Sequence, residues 1–540
     1  MFRNLAHVVV SCVAMSARRI TRRSLLAAGA GAMTGGLLRP GRALALLAGV
    51  AHPTLSQRRL GAVTPEGTTV ELGHPADLVG LDWQEPARAG VWLRFRTEDG
   101  RWSGWVSAAT NGHAPEGPPA TGRHVGDPIW TGGTTAVQVR STQTLSGARL
   151  RLVDLSGPVG AGRRSGMPSP LAMAAAPPLA EPILAAGPGQ PPIIARQAWA
   201  QGISPPKVAP EYGAVRMAFV HHTDNPNGYA PSEVPAMLRA IYVYHRYVKG
   251  WNDIGYNFVI DLYGRIFEAR AGGIDEPVVG AQAGGYNLVS TGIAVLGTFT
   301  SVPISAPARS ALEALLAWKL SLHGVPAEGS VMVRVNPAGA SYSRFPANAR
   351  VPLPRIAGHR EADTTDCPGN VLYSELPAIR KGARRLAPSP TRATLALIAA
   401  PAAPSQPTAP AGAGGEAPGG TVTGAVQTLA GGLELLDGGV GGTPIAGAPI
   451  IVQARTVSRR GEVVNETTLA ETSTDSEGNW SLSANPLGER HGGMWLRAFC
   501  PGGHGSGASV SDPLHVPAAV SLTAPAANPP TSSPAPPPAM

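Results

Sequence analysis

The sequence has few cysteines and no long uninterrupted apolar segment. Only three cysteines occur among 540 residues, namely Cys12, Cys367 and Cys500. Cysteines this few and this far apart do not define a disulfide framework. No run of about 18 uninterrupted apolar residues is present, so we predict no transmembrane helix.

Aromatic and charged residues are also scarce, at 5% and 15% of the chain. The low charge content argues against a highly charged disordered protein. The formal net charge is +9, which suits an anionic partner. The arginines are dispersed, however, and no basic surface motif interleaved with aromatic residues occurs, so no nucleic-acid partner is predicted. The sequence identifies no protein partner.

Residues 1–45 have the pattern of an export signal. Arg22 and Arg23 precede Ser-Leu-Leu, which resembles a twin-arginine signal. The apolar stretch that follows is too short and too rich in glycine to span a membrane. An Ala-Leu-Ala segment beginning at Ala43 offers a cleavage site. We therefore expect a secreted or wall-located protein, with Met15 as an alternative start of translation.

Glycine and proline are abundant, with 67 and 54 residues, as is typical of long linkers between compact units. Residues 46–155 and 421–522 alternate polar and apolar side chains, which predicts two all-β domains, the second a sandwich of immunoglobulin type. Residues 193–386 interleave strands and helices, which predicts a central α/β domain with a mixed β-sheet flanked by helices. The segments rich in proline, alanine and glycine are predicted to be two linkers and a tail: 156–192, 387–420 and 523–540.

Several local patterns place elements within the central unit. An apolar run at 215–220 predicts a buried strand, and residues 256–270 predict a hairpin. Ser232 and Ser305 each precede a helical pattern and are predicted to cap a helix. A last helix is predicted over 376–386.

One stretch carries most of the candidate chemistry. Residues 358–369, GHREADTTDCPG, place His359 and Cys367 eight positions apart, and both side-chain types are good zinc ligands. A third ligand is available at His221 or His222, where the apolar strand ends. Three protein ligands leave a fourth position for water, which is typical of catalytic rather than structural zinc.

Other interpretations of this stretch stay open from the residues alone. A histidine near a cysteine is often coincidental. The pair could also be a Cys-His nucleophile, as in a cysteine protease. Pro368 and Gly369 follow Cys367 directly, so the thiol is predicted in a turn and not at an activating helix N-terminus.

Six sequence blocks occur in a specific order between Phe219 and Gly369: FVHHT, GWNDIGYNFVID, GAQAGGYN, TGIAVLG, GHR and TDCPG. Their order resembles the peptidoglycan recognition protein and type 2 N-acetylmuramoyl-L-alanine amidase family, including exported actinobacterial members. The resemblance covers about 193–386. It implies a secreted zinc-dependent hydrolase that cleaves the amide between N-acetylmuramic acid and L-alanine in peptidoglycan.

The resemblance also implies roles for individual residues. The positions that match the family's zinc ligands are His221, His359 and Cys367. Tyr256 matches the residue that assists the attacking water, and Thr365 matches a position that stabilises the developing oxyanion. His222 would then be a packing residue or a support for the ligands.

Substrate binding is the role that the resemblance implies for Gln282 and Asn287. Gln282 stands where the family often carries histidine, and this departure bears on substrate affinity more than on the metal site. Two other functions remain as alternatives. One is a non-catalytic peptidoglycan-binding protein, and the other is a metallohydrolase that acts on a different amide.

Overall fold

The computed structural model describes residues 53–86, 89–97, 99–108, 123–155, 188–200, 204–387, 391–393, 396–399, 427–436, 442–457, 463–483, 494–502 and 507–516. All of them belong to one unit by their contacts, residues 51–540. The predicted export signal, the proline-rich tail and most of both predicted linkers lie outside the described residues. Among the described residues, no helix is both long and apolar enough to cross a bilayer.

The N-terminal strands are β1 (Thr54–Arg59), β2 (Thr68–Trp83), β3 (Val91–Phe95), β4 (Val106–Ser107), β5 (His124–Val125), β6 (Ile129–Ser141) and β7 (Arg149–Asp154). They form one antiparallel sheet in the order β1-β7-β2-β6-β3-β4, with β5 beside β2. The predicted strand-rich N-terminal domain is thus confirmed.

Strand β2 is buried without interruption from Ala76 to Trp83. Val79 and Leu81 pack in the core of the N-terminal sheet, whereas Leu78 belongs to the core cluster of the central domain. Side chains alternate between the two faces of a strand, so this part of β2 is covered on both sides. The N-terminal sheet therefore packs directly on the central domain.

The next eight strands are β8 (Ile193–Ile194), β9 (Met217–His222), β10 (Phe258–Ile260), β11 (Ile266–Glu268), β12 (Ser290–Val295), β13 (Ser330–Arg334), β14 (Arg350–Pro354) and β15 (Ile356–Gly358). Six of them form the central sheet in the order β15-β9-β12-β10-β11-β8. Its pairs are parallel except β10 with β11, so the predicted mixed sheet is confirmed. Strands β13 and β14 form a separate antiparallel pair.

The α-helices are α1 (Arg196–Ala200), α2 (Val234–Val243), α3 (Ala306–Leu322) and α4 (Asn370–Leu386). Helix α3 begins as predicted, since the Ser305 hydroxyl accepts the backbone N–H of Ala308. Helix α2 continues into a π-helical turn over Tyr244–Val248. Helix α4 begins earlier than its predicted start at residue 376, directly after Gly369.

The C-terminal strands are β16 (Thr391–Ala393), β17 (Ala396–Ala399), β18 (Gln427–Leu436), β19 (Gly442–Pro444), β20 (Pro449–Val457), β21 (Val463–Ser473), β22 (Asn479–Ser483), β23 (Met494–Cys500), β24 (Ser509–Val510) and β25 (Leu514–Val516). They form two five-stranded sheets. This agrees with the predicted all-β character of the domain.

Strands β16 and β17 differ from the sequence interpretation, because they lie within residues 387–420, which we predicted to be a linker. Both pair with β18. Their residues are mostly small, and three or four such residues carry no periodicity that predicts a strand. The pairing depends on a partner strand about 30 to 45 residues further along the chain.

Candidate metal centre

Three side chains that can ligate a metal meet in the central domain. His221, His359 and Cys367 each offer one ligand atom, and these atoms all lie within 4.8 Å of one another. Gly358 of β15 pairs with Val220 of the parallel strand β9. The residue that follows each, His359 and His221, is therefore held beside the other by the sheet register.

The second nitrogen of each imidazole already has a hydrogen-bond partner. Nε2 of His221 lies 2.6 Å from Oε1 of Gln282, and Nε2 of His359 lies 2.9 Å from Oδ2 of Asp363. Oε1 of Gln282 can only accept a hydrogen bond, and Oδ2 of Asp363 also accepts a backbone N–H, which assigns the proton of each ring to Nε2. The lone pair of each imidazole is then at Nδ1, and Nδ1 of His221 lies 3.6 Å from Sγ of Cys367.

This donor set fits a zinc ion. Zinc-ligating histidines ordinarily donate their other N–H to a carboxylate or a carbonyl oxygen, as these two do. Two imidazole nitrogens and one thiolate are also ligands that zinc prefers, with a fourth position left for another ligand. The three residues that could hold the metal are therefore both close enough and oriented for it.

Burial raises the pKa of the Cys367 thiol well above its usual range, while the backbone N–H of His222, 3.4 Å from Sγ, acts in the opposite direction. A nucleophilic cysteine needs the reverse, a lowered pKa in an electropositive setting. A metal ion supplies the positive charge that a buried thiolate requires. The surroundings of Cys367 favour ligation over the Cys-His nucleophile.

The structure separates the two adjacent histidines. His221 belongs to the ligand cluster, whereas Nδ1 of His222 accepts the backbone N–H of Phe299 at 3.4 Å. Nε2 of His222 lies 4.0 Å from Oδ1 of Asp224. Successive side chains of a strand point to opposite faces, so only one residue of the pair can reach His359 and Cys367.

Tyr256 lies beside the cluster, with its ring centroid 5.5 Å from that of His221. Burial raises its pKa well above the ordinary value, and the nearby charges of Asp127, Cys367 and Asp224 act in the same direction. The phenol therefore stays protonated and can donate a hydrogen bond. The Thr365 hydroxyl accepts the backbone N–H of Cys367 at 3.1 Å, within the turn that carries the thiol.

Gln282 is completely buried, and besides its contact with His221 it donates from Nε2 to Oγ of Ser290 at 2.8 Å. Asn287 accepts the backbone N–H groups of Gln282 and Ala283 through Oδ1, at 2.9 and 3.0 Å. These contacts hold a candidate metal ligand and its supporting loop. Contact of Gln282 or Asn287 with substrate stays a prediction.

Sequence reasoning missed two acidic residues of this region. Asp363 could have been found, because it lies four positions after His359 within the stretch that carries both ligands. Asp127 could not. It belongs to the N-terminal domain, yet it lines a small cavity beside Cys367 and Tyr256.

Comparison with known families supports the resemblance. Residues 211–370 match the family described as N-acetylmuramoyl-L-alanine amidase. Residues 45–176 match a second family, described as Rv3811 N-terminal galactose-binding domain-like. The resemblance predicted from the six blocks is confirmed for residues 211–370, which contain all three candidate ligands.

Individual relatives are distant. The chain is 29% identical over 213 residues to a human N-acetylmuramoyl-L-alanine amidase, a match that covers 38% of this chain and 31% of the human protein. It is 28% identical over 159 residues to peptidoglycan-recognition protein SC2 of Drosophila simulans, covering 29% of this chain and 71% of that protein. The chain thus spans about a third of the length of its human relative.

Among solved structures, wild-type PGRP-LB of Drosophila is 25% identical to this chain, with a TM-score of 0.26. The superposition covers 34% of this chain and 92% of the Drosophila protein.

Proposed function

We propose that the central domain is a zinc-dependent amidase that hydrolyses the bond between N-acetylmuramic acid and L-alanine in peptidoglycan. The observation that carries this proposal is the convergence of His221, His359 and Cys367, with both imidazoles oriented by outer hydrogen bonds. The family match over residues 211–370 and the amidase name of the human relative support the choice of substrate.

Bound zinc would supply Lewis acidity toward the amide carbonyl and lower the pKa of a water molecule. The protein's own residues would orient the ligands and the attacking water and would stabilise the oxyanion. Gln282 and Asp363 keep the two imidazoles in the tautomer that leaves Nδ1 available. The protonated phenol of Tyr256 would orient the attacking water, and the Thr365 hydroxyl would donate to the developing oxyanion.

Mass spectrometry of peptidoglycan digests tests the proposal. Purified sacculi incubated with the zinc-loaded full chain should yield stem peptides with a new N-terminal alanine, and a chelator should abolish this release. Cys367→Ser should abolish it as well, because an alcohol is a much poorer zinc ligand than a thiolate.

Cys500→Ser is the matched control, since Cys500 is buried in the C-terminal domain. It should cleave as the wild type does. A chain that sediments with sacculi but releases no alanine would instead support the non-catalytic binding function. Cleavage that survives both the chelator and Cys367→Ser would refute the zinc assignment.

Export through the twin-arginine route is also a proposal, and it rests on the sequence alone. Replacing Arg22 and Arg23 together with lysine should leave the unprocessed precursor in the cytoplasm. Processing and secretion equal to those of the wild type would contradict it. N-terminal peptide mapping of the precursor would identify the start of translation.

A further inference from the structure

We propose that the N-terminal sheet domain covers the pocket beside Cys367 and Tyr256, and that substrate reaches the candidate metal centre only after this domain moves away. The identity of the substrate rests on the function proposed above. The cover itself is inferred from the contacts between the two domains. We call residues 126–128, which connect β5 with β6, the cover loop.

The pocket beside the metal centre is too small for a substrate. Its volume is about 10 Å3, and Asp127 and Pro128 of the cover loop line it together with Tyr256 and Cys367. A cavity of this size holds about one water molecule. Sites for organic ligands ordinarily measure roughly 300–1,000 Å3. An amide that joins a sugar to a peptide does not fit beneath the cover loop.

A buried ion pair holds the cover loop in place. The Asp127 carboxylate contacts the Lys249 ammonium group, and the two side chains are 9% and 6% exposed. Lys249 directly follows the π-helical turn that extends α2. Because both charges are removed from water, each depends on the other for compensation.

Two neutral hydrogen bonds reinforce this attachment. The Tyr244 hydroxyl donates to the carbonyl oxygen of Gly126 at 2.9 Å. The backbone N–H of Trp130 donates to Oδ1 of Asn225 at 3.1 Å. The central-domain partners come from the π-helical turn and from the loop after β9, which are the segments that flank the pocket.

Apolar packing continues the interface. Leu78, Trp130 and Val153 of the N-terminal sheet belong to the same buried cluster as Ile241 of α2. Gly80 of β2 allows a close approach, because a Cβ atom at this position would lie 2.1 Å from Oη of Tyr244. A side chain at residue 80 would therefore push the N-terminal sheet away from the π-helical turn.

Gly80→Ala tests the proposal without reference to any substrate. Alkylation of Cys367 by iodoacetamide, measured by peptide mass spectrometry on the metal-free full chain, reports access to the pocket. Gly80→Ala should accelerate this alkylation about tenfold or more relative to Gly73→Ala. Gly73 is the matched control, because it lies in the same strand and a Cβ there meets nothing within 4 Å.

Cys500 is the internal control for unfolding, since it is buried in the C-terminal domain. Faster alkylation of Cys367 alone supports the cover. Equal rates for Cys367 in both glycine variants overturn it. If Gly80→Ala exposes both cysteines, the same alkylation rates are measured for Lys249→Met, which breaks the ion pair without adding volume to the strand. Faster alkylation of Cys367 alone in this variant supports the cover, and an unchanged rate overturns it.

Cleavage of sacculi by the zinc-loaded variants separates this proposal from the amidase proposal. The cover predicts faster release of alanine by Gly80→Ala than by Gly73→Ala. Slower release would mean that the N-terminal domain helps to build the site, and would overturn the cover. If Cys367 becomes accessible while no variant releases alanine, the amidase proposal fails and the cover stands.

Discussion

Nε2 of His221 lies 2.6 Å from Oε1 of Gln282, in a fully buried contact. The glutamine amide is held in turn, since its Nε2 donates to Oγ of Ser290. A carbonyl oxygen fixed in this way can only accept, so it selects the tautomer of His221 that turns its lone pair toward Cys367. The residue in which this chain departs from the family that it resembles thus supports the candidate metal centre.

Gln282→Leu should lower zinc affinity about 10- to 100-fold, because His221 loses the partner that orients it. Competition with a chromophoric chelator measures the affinity directly. Gln84→Leu is the matched control, since Gln84 is exposed. An affinity equal to that of the control would show that Gln282 does not act through His221.

Asp363→Ala should weaken both metal binding and folding. Its Oδ2 accepts from Nε2 of His359 and from the backbone N–H of Gly284, and the carboxyl group is buried. Leaving a buried donor unsatisfied costs about 1–3 kcal/mol in the free energy of unfolding. Chemical denaturation of the metal-free chain measures this loss.

The control for Asp363→Ala is Asp366→Ala, because Asp366 is exposed in the same stretch. The control should unfold at the wild-type denaturant concentration. If both variants unfold at the same concentration, the hydrogen bonds of Asp363 contribute nothing measurable to folding.

Tyr256→Phe should lower the rate of amide cleavage by about 100-fold or more while zinc affinity stays unchanged. The substitution removes only the hydroxyl and keeps the ring beside His221. Cleavage rates and chelator competition on the same preparation separate the two effects. Tyr247→Phe is the control, since Tyr247 is 57% exposed. Parallel losses of rate and of affinity would assign Tyr256 to metal binding instead.

Lys319 should make stability depend on pH above neutrality. Burial lowers its pKa from 10.5 to about 7, although Nζ donates to the carbonyl oxygens of Ile274 and Glu276. From about pH 7 to 10, the unfolded chain binds a proton at this lysine that the folded chain does not. Stability therefore rises with pH in this window, by at most about 1.4 kcal/mol per unit.

The variant Lys319→Met removes this dependence. The unfolding free energy of the wild type, relative to that of the variant, should therefore rise from pH 7 to 9. Denaturant titrations at several pH values measure it. Lys381→Met, at an exposed lysine, should change nothing. A difference that stays constant with pH would mean that Lys319 remains charged in the folded protein.

Local patterns predicted several elements of the central domain, but the prediction that Ser232 caps α2 was wrong, since Glu233 holds that position and no side chain caps the helix. Ser305 caps α3 because its hydroxyl and the following helical residues act within one turn. The apolar run before the histidine pair is strand β9, which is buried along its whole length. The strands at 391–399 were not predictable in this way, because they are held by residues far along the chain, through pairing with β18 and, for Ala393, a hydrogen bond to Ser509.

The candidate metal ligands show which choice the sequence alone left open. His359 and Cys367 share one short stretch, but the residues did not decide between His221 and His222. The choice depends on which histidine side chain lies on the same face of the sheet as His359 and Cys367, and the register of β9 against β15 decides that. The role of Gln282 likewise depends on a loop that crosses Gly292 of β12, where a Cβ would lie 2.3 Å from the glutamine side chain.

The sequence by itself determined the order of the domains, the mixed central sheet and the residue types of the metal centre. Each of these follows from short-range periodicity or from motifs whose members lie in order along the chain. Only the tertiary structure brought Asp127 of the N-terminal sheet to Lys249 and placed the cover loop over Cys367. Such contacts join residues more than a hundred positions apart, and they depend on how the surfaces of two domains fit, which no local pattern encodes.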